Sequence, residues 1–348
     1  MRDFKKNKGK WGRIFLFFLI LTVLLGGMSR KAAELAEDHE NWVHYRNKSA
    51  LLLGKEQKNT LDVVILGDSL SYTSFSPMQM WNEYGIPAFV GGQSGQNIQE
   101  SYYMLKKAFE NQKPRLVLLE TNVLFRPQKG NSGLTMTLAA MGSYYFPMFT
   151  YHDIWKSILT GKEYPEENYK GFQFREVTNP YRGGPYMKET AAKEKISRTV
   201  EDYLEKIRSL CRKNQAELIL VSTPSPLNYN YRKYNTLKEY AERMRIPYED
   251  MNLKAEELGI DWEKDSLDGG DHLNLSGAWK VTRFTGKYLH ENFSLPDRRE
   301  EEAYALWREE GEKYGEKAKE KLEAMWKDDK ITGEEVENRR ERSLPAYE

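Results

Sequence analysis

Ser69 stands at the end of residues 61–70, LDVVILGDSL, where an apolar stretch rich in Val and Ile stops abruptly at Gly67 and Asp68. A serine hydroxyl is a poor nucleophile until a base within hydrogen-bond reach accepts its proton and a third group orients that base. Five histidines could serve as the base: His39, His44, His152, His272 and His290. Only His272, in the segment DHLN, lies in a loop after the last predicted strand and just before a helix, so it alone should approach the sheet edge that carries Ser69. His152, beside Asp153, reads as structural. Competing chemistries lack their spacings: no HExxH or clustered metal-ligand pattern occurs, no GxSxG elbow, and Gly91, Gly92 and Gly95 follow neither the Rossmann nor the Walker rule. No metal and no cofactor is therefore expected.

The elements that must position Ser69 can be read around it. Its run is too short for a helix and fits a strand buried on both faces, as in a parallel sheet. Such sheets bind ligands beyond the carboxyl ends of their strands. Ser76 and Pro77 cap a helix that closes at Gly85. A strand over 87–90 leads into Gly91, Gly92 and Gly95, and a helix within 97–111 sets Ile98, Tyr102, Leu105 and Phe109 on one face. A third strand over 115–120 ends at Thr121 and Asn122. Residues 125–190 mix aromatics with Gly and Pro and are expected to be an insertion that caps the site, their aromatics serving as core or as stacking surfaces for a sugar. Alternation resumes with a helix over about 191–214, a strand over 217–221, a helix carrying Leu237, Tyr240, Ala241 and Met244, a short strand over 246–248 and a helix over 276–290. Strand and helix in alternation imply an α/β class with a central parallel sheet wrapped on both sides.

The ends differ from this body. Six Lys or Arg among the first thirteen residues precede an uncharged stretch, IFLFFLILTVLLGGM, over 14–28. At about 1.5 Å per residue this is shorter than the roughly 30 Å hydrocarbon core, so Trp11 and a snorkelling Arg13 must assist a span. A small-residue cleavage site is poorly formed, which favours an uncleaved anchor over a signal peptide. The charge asymmetry places the amino terminus inside and the rest outside the cytoplasm. Residues 1–30 are thus read as anchor, 31–60 as juxtamembrane linker, 61–295 as the α/β domain and 296–348 as a charged helical tail. The tail's stripe of Ala303, Trp307, Tyr314, Ala318, Leu322 and Met325 should pack on the parent domain or on a partner helix. Cys211 is the only cysteine and reads as an inert buried thiol. With 53 basic against 52 acidic residues, nothing argues for nucleic-acid binding.

The ordered blocks GDSL, VGGQSGQ, LLETN and DHLN resemble the SGNH/GDSL hydrolase family over about residues 61–293. That resemblance implies a three-layer α/β/α fold, Ser69 as nucleophile and His272 as base. It also implies an oxyanion hole made by the Ser69 amide, the Gly92 amide and the Asn122 side chain. The sequence departs from the family's Asp-x-x-His block, because Gly269 stands three before His272. Asp271 is adjacent, and neighbouring side chains diverge in extended chain. Asp268, with Gly269 and Gly270 loosening the loop, is therefore the expected orienting acid.

An anchored exterior domain with these blocks looks like the bacterial envelope branch of the family. The implied function is an extracytoplasmic serine esterase or O-acyltransferase acting on acyl esters, acetyl foremost, of cell-surface polysaccharide or wall polymer. A multi-spanning membrane acyltransferase is the expected protein partner. The alternative is a noncatalytic anchored adaptor that binds polymer and serves such an acyltransferase.

Overall fold

Five short apolar runs form one parallel sheet: β1 (Val63–Leu66), β2 (Ala88–Val90), β3 (Leu116–Glu120), β4 (Glu217–Ser222) and β5 (Tyr248–Asp250). The computed structural model describes residues 2–127, 132–165 and 169–327. In space the strands run in the order β2-β1-β3-β4-β5. Ile65 pairs with Val90 on one side and Leu118 on the other, and Leu118 pairs with Ile219. The chain leaves β1 in one direction to make β2 and returns on the other side to make β3. The carboxyl end of β1 is therefore a point where strand order reverses, and Ser69 follows it by three residues.

The helices in chain order are α1 (Arg2–Asp38), α2 (Tyr45–Lys55), α3 (Ser69–Ser74), α4 (Pro77–Tyr84), α5 (Ile98–Asn111), α6 (Ser132–Tyr145), α7 (Met148–Tyr151), α8 (Ile154–Thr160), α9 (Arg198–Lys213), α10 (Tyr231–Met244), α11 (Leu275–Asn292) and α12 (Ala305–Lys327). Successive strand residues point to opposite faces. Val63, Ile65, Val90, Leu116, Leu118 and Ile219 join Tyr72, Phe75, Met80, Val281 and Leu289 in one core. That face is covered by α3, α4 and α11, whereas α5 and α9 pack on one another and on β1 and β4. Three layers result. Ser76 caps α4 and Gly85 closes it at φ 66°, as expected; Asn97 and Glu100 add a reciprocal capping box on α5.

Non-local contacts move other boundaries. Helix α9 begins at Arg198 rather than near 191, because Asn235 and Thr236 hold the carbonyls of Thr190, Ala192 and Glu194 in an extended course. Strand β5 lies two residues beyond its expected place: Ile246 still bonds Ala241 to close α10, and the Pro247 carbonyl receives the Leu220 N–H.

The described tail packs on its own unit. Trp307, Tyr314, Ala318 and Leu322 are buried, α12 lies on α4, and the Ser76 hydroxyl donates to Tyr314 at 2.6 Å. Ala303 is exposed and Tyr304 stacks on Trp81 instead. The rest of the expected tail, 328–348, lies outside the described residues. Cys211 is buried on α9, and burial pushes its thiol up to about 12.

The chain divides into two compact units, Met1–Leu51 with Leu134–Glu166, and Leu52–Gly133 with Glu167–Glu348. The stretch 125–190 is thus not one insertion. Its described residues 169–190 belong to the sheet-bearing unit, where the Lys170 carbonyl receives the Val90 N–H at 2.8 Å. In the other unit, α7 and α8 pack along α1. Ala36, Val43, Leu51 and Ile154 form its small core. Helix α1 runs unbroken through the apolar stretch, and Lys10–Asp38 is long and apolar enough to cross a membrane.

Candidate active site

Ser69 is the first residue of α3, directly after the cap Asp68, whose carboxylate receives the Leu70 N–H at 3.0 Å. The turn is tight because two glycines admit Ser71. A Cβ at Gly67 would stand 2.7 Å from the Ser71 Cβ and 2.8 Å from that of Glu120. At Gly92 it would stand 2.2 Å from the Ser71 hydroxyl oxygen. That hydroxyl donates to the Asp68 carbonyl at 2.7 Å, so Gly92 is pressed against the turn that presents Ser69.

The structure brings Ser69 and His272 together across 203 positions: His272 Nε2 lies 2.7 Å from Ser69 Oγ. His272 Nδ1 lies 2.7 Å from Asp268 Oδ2 and 3.6 Å from Asp271 Oδ1. Asp268 also receives the His272 backbone N–H on its other oxygen at 2.7 Å. One carboxylate therefore fixes both the loop and the ring. The geometry depends on Gly269 and Gly270 at φ 78° and 100°, a region where a side chain is strained. The loop is closed by the Leu267 N–H on the His272 carbonyl, and Gly269 donates to the carbonyl of Asn179 in the 169–190 segment.

Burial disfavours the imidazolium of His272, but the Asp268 hydrogen bond and the charges of Asp268, Asp271 and Asp68 outweigh it, so its pKa lies above the ordinary value. The ring is thus suited to accept a proton from Ser69 and to hold it. Asp271 is engaged elsewhere: Asn228 donates to its carboxylate, and Ser225 donates to its carbonyl at 2.6 Å.

Gly92 and Asn122 both meet the residue that precedes Ser69. Asn122 Nδ2 donates to Asp68 Oδ2 at 2.8 Å. Its amide carries a second proton for another acceptor. Among the described residues, no acceptor meets the backbone N–H of Ser69 or of Gly92.

Two participants carry no warning in the sequence. Arg126 donates from Nε and Nη2 to the same Asp68 oxygen, at 2.9 and 2.5 Å. Asp68 is fully buried, while the Arg126 side chain is 31% exposed. Glu120 receives the Asn122 backbone N–H at 3.0 Å, and burial followed by the nearby Asp68 charge pushes its carboxyl well up. Asn122 lies in the short 3-10 turn Thr121–Leu124 and Arg126 two residues beyond its end, and both donate to the same Asp68 oxygen. No local pattern of residue types marks Arg126 or Glu120; only their convergence on Asp68 does.

No family model and no curated protein matches the chain. Among solved structures, it is similar to a GDSL-like lipase from Bacteroides thetaiotaomicron at 13% identity and TM-score 0.36, covering 72% of this chain and 98% of that one. It is also similar to a Bacteroides fragilis protein described as an acylhydrolase, at 12% identity and TM-score 0.37, covering 70% and 95%. Likeness at this level carries no chemistry, which rests on the geometry of the site.

Proposed function

We propose that the chain is a serine esterase or O-acyltransferase that works through an acyl-enzyme on Ser69. The observation that carries this reading is the continuous line from Ser69 Oγ to His272 Nε2 and from His272 Nδ1 to Asp268, each step 2.7 Å. Ser69 Oγ attacks the ester carbonyl carbon as His272 Nε2 takes its proton. Asp268 holds Nδ1–H, which keeps the ring in the tautomer that can accept and stabilises the cation that forms. The carbonyl oxygen becomes an oxyanion held by the N–H groups of Ser69 and Gly92 and by the free proton of Asn122 Nδ2. Collapse breaks the bond to the alcohol, which leaves with the proton from Nε2. Water or a sugar hydroxyl then gives its proton to His272 Nε2 and attacks the acyl carbon, and on collapse Nε2 returns that proton to Ser69 Oγ, releasing the free serine and either the free acid or a new ester.

The substrate class is acyl, foremost acetyl, esters of cell-surface polysaccharide or wall polymer, handled outside the cytoplasm by a chain anchored through α1. Support comes from the basic residues before the apolar stretch, the exposure of that stretch in the helix, and its length. A multi-spanning membrane acyltransferase is a fitting partner for the transfer branch. The preformed hydrogen-bond line favours catalysis over a purely adaptor role.

The test is p-nitrophenyl acetate turnover by the purified full chain, alone and with a sugar oligomer as acceptor. The reading expects p-nitrophenol release that Ser69→Ala reduces to the uncatalysed rate, with acetylated sugar appearing if transfer competes with water. Release unchanged by Ser69→Ala, or no release at all, would return the chain to the adaptor class.

A further inference from the structure

We propose that α6, α7 and α8 form a second membrane contact: an element that lies in the lipid headgroup boundary beside the α1 span, its exposed apolar side chains immersed in lipid. This rests on the reading of α1 as a membrane anchor. In a chain that is 30% charged, the twenty residues 132–151 contain no Asp, Glu, Lys or Arg. Helix α6 has 14 residues, about 21 Å at 1.5 Å per residue, too short for the roughly 30 Å core. An apolar helix of that length reads as a buried core helix or as a re-entrant or interfacial segment, and its exposed face excludes the first.

Its outward side is apolar as well. Leu134, Leu138, Met141 and Tyr145 are exposed at spacings of four, three and four, which is one helical face. Phe149 on α7 and Trp155 on α8 are exposed as well, and Phe149 lies beside Gly142 of α6. An exposed apolar helix face of this kind marks a partner, because water-facing surfaces rarely carry one.

Position along α1 identifies lipid as that partner. The α1 side chains between Ile14 and Leu24 are largely exposed, and burial begins at Ser29 and Ala36. Ala36 clusters with Ile154, Tyr151 and Ile158 of the α7 and α8 region. From Met28, the end of the uncharged stretch, to Ala36 is eight residues, about 12 Å along the helix. Because the stretch 14–28 is about 22 Å long and the hydrocarbon core roughly 30 Å, the core edge lies about 4 Å beyond Met28, which leaves Ala36 about 8 Å past it, at the outer edge of the headgroup layer where Trp and Tyr concentrate. The charged side chains of this region begin only after the apolar run, with Asp153 and Lys156, which pair at 2.7 Å.

The test uses the full chain with Cys211→Ala, reconstituted in phosphatidylcholine and phosphatidylglycerol vesicles and carrying one environment-sensitive NBD probe at Leu138→Cys, Phe149→Cys, Leu19→Cys or Glu242→Cys. These positions are exposed, so the probe displaces no core packing. The proposal expects the probes at 138 and 149 to shift to the blue and lose most of their emission to lipids with a shallow nitroxide, and less to lipids with a deep one. The probe at 19 should respond most to the deep nitroxide, and that at 242 to neither. Water-like, unquenched emission at 138 and 149 with quenching at 19 overturns the proposal alone. No quenching at 19 overturns the anchor and the proposal with it. A blue shift at 138 and 149 without lipid quenching assigns the face to a protein contact and overturns it, as does equal quenching at 242.

Discussion

The two halves of the site are held by different physics. The proposed proton-relay half is local: Asp268 and His272 share one five-residue loop, and a single carboxylate fixes both the ring and the backbone. The half proposed to hold the oxyanion is assembled from afar, with Ser69, Gly92 and Asn122 arriving from the ends of β1, β2 and β3 around the buried Asp68. A charged clamp from Arg126 finishes it. The difference teaches where each half is vulnerable. The relay should fail when one hydrogen bond fails, whereas the oxyanion half should fail gradually and take stability with it.

The largest expected effects break the relay. His272→Ala and Asp268→Asn should each lower kcat for p-nitrophenyl acetate by about ten-thousandfold, with little change in Tm. Asp268 replaced by the neutral amide keeps the shape but loses the charge that favours the correct tautomer. An Asp268→Asn variant with near-normal turnover would transfer the orienting role to Asp271.

Breaking the oxyanion half should cost less. Asn122→Ala removes one donor and should lower kcat by about a hundred- to a thousandfold. Gly92→Ala puts a methyl against the Ser71 hydroxyl and should also lower kcat, in steady-state assays, while Ser71→Ala in the same chain restores part of it. Failure of that rescue would mean Gly92 acts through its backbone alone. Arg126→Met leaves the buried Asp68 short of its cation and should lower stability by about 1–3 kcal/mol in thermal or denaturant unfolding. An unchanged Tm would show that the clamp contributes nothing to folding.

The smallest effect sharpens the comparison. His272 must be neutral to accept a proton, and its pKa is raised, so activity should fall as pH drops through a midpoint above 6.5. Asp271→Asn removes one of the charges that raise it, so the acid limb of kcat/KM should move to lower pH with the plateau kept. A limb that stays in place would deny Asp271 an electrostatic role.

Much of this is legible in residues 61–122 and 266–292. The apolar runs of β1, β3 and β4 are short, made mostly of Val, Ile and Leu, and bounded by turns, so their burial follows from composition. Ser76 and Gly85 announce helix ends because capping is local chemistry. The placing of Ser69, Gly92 and Asn122 just past strand ends, and of His272 in the loop before α11, follows from the alternation of elements. What escapes the sequence is long-range: the start of α9, set by Asn235 and Thr236; the split of 125–190 between two units; and Arg126, an ordinary surface cation until the fold brings Asp68 beside it.

The central claim is that Ser69 becomes acylated because His272 takes its proton. Intact-mass measurement of the full chain after fluorophosphonate treatment tests it most directly. One adduct per chain is expected, mapped to Ser69 and absent from both Ser69→Ala and His272→Ala. An adduct that persists in His272→Ala at the wild-type rate, or that maps to another residue, would contradict the account.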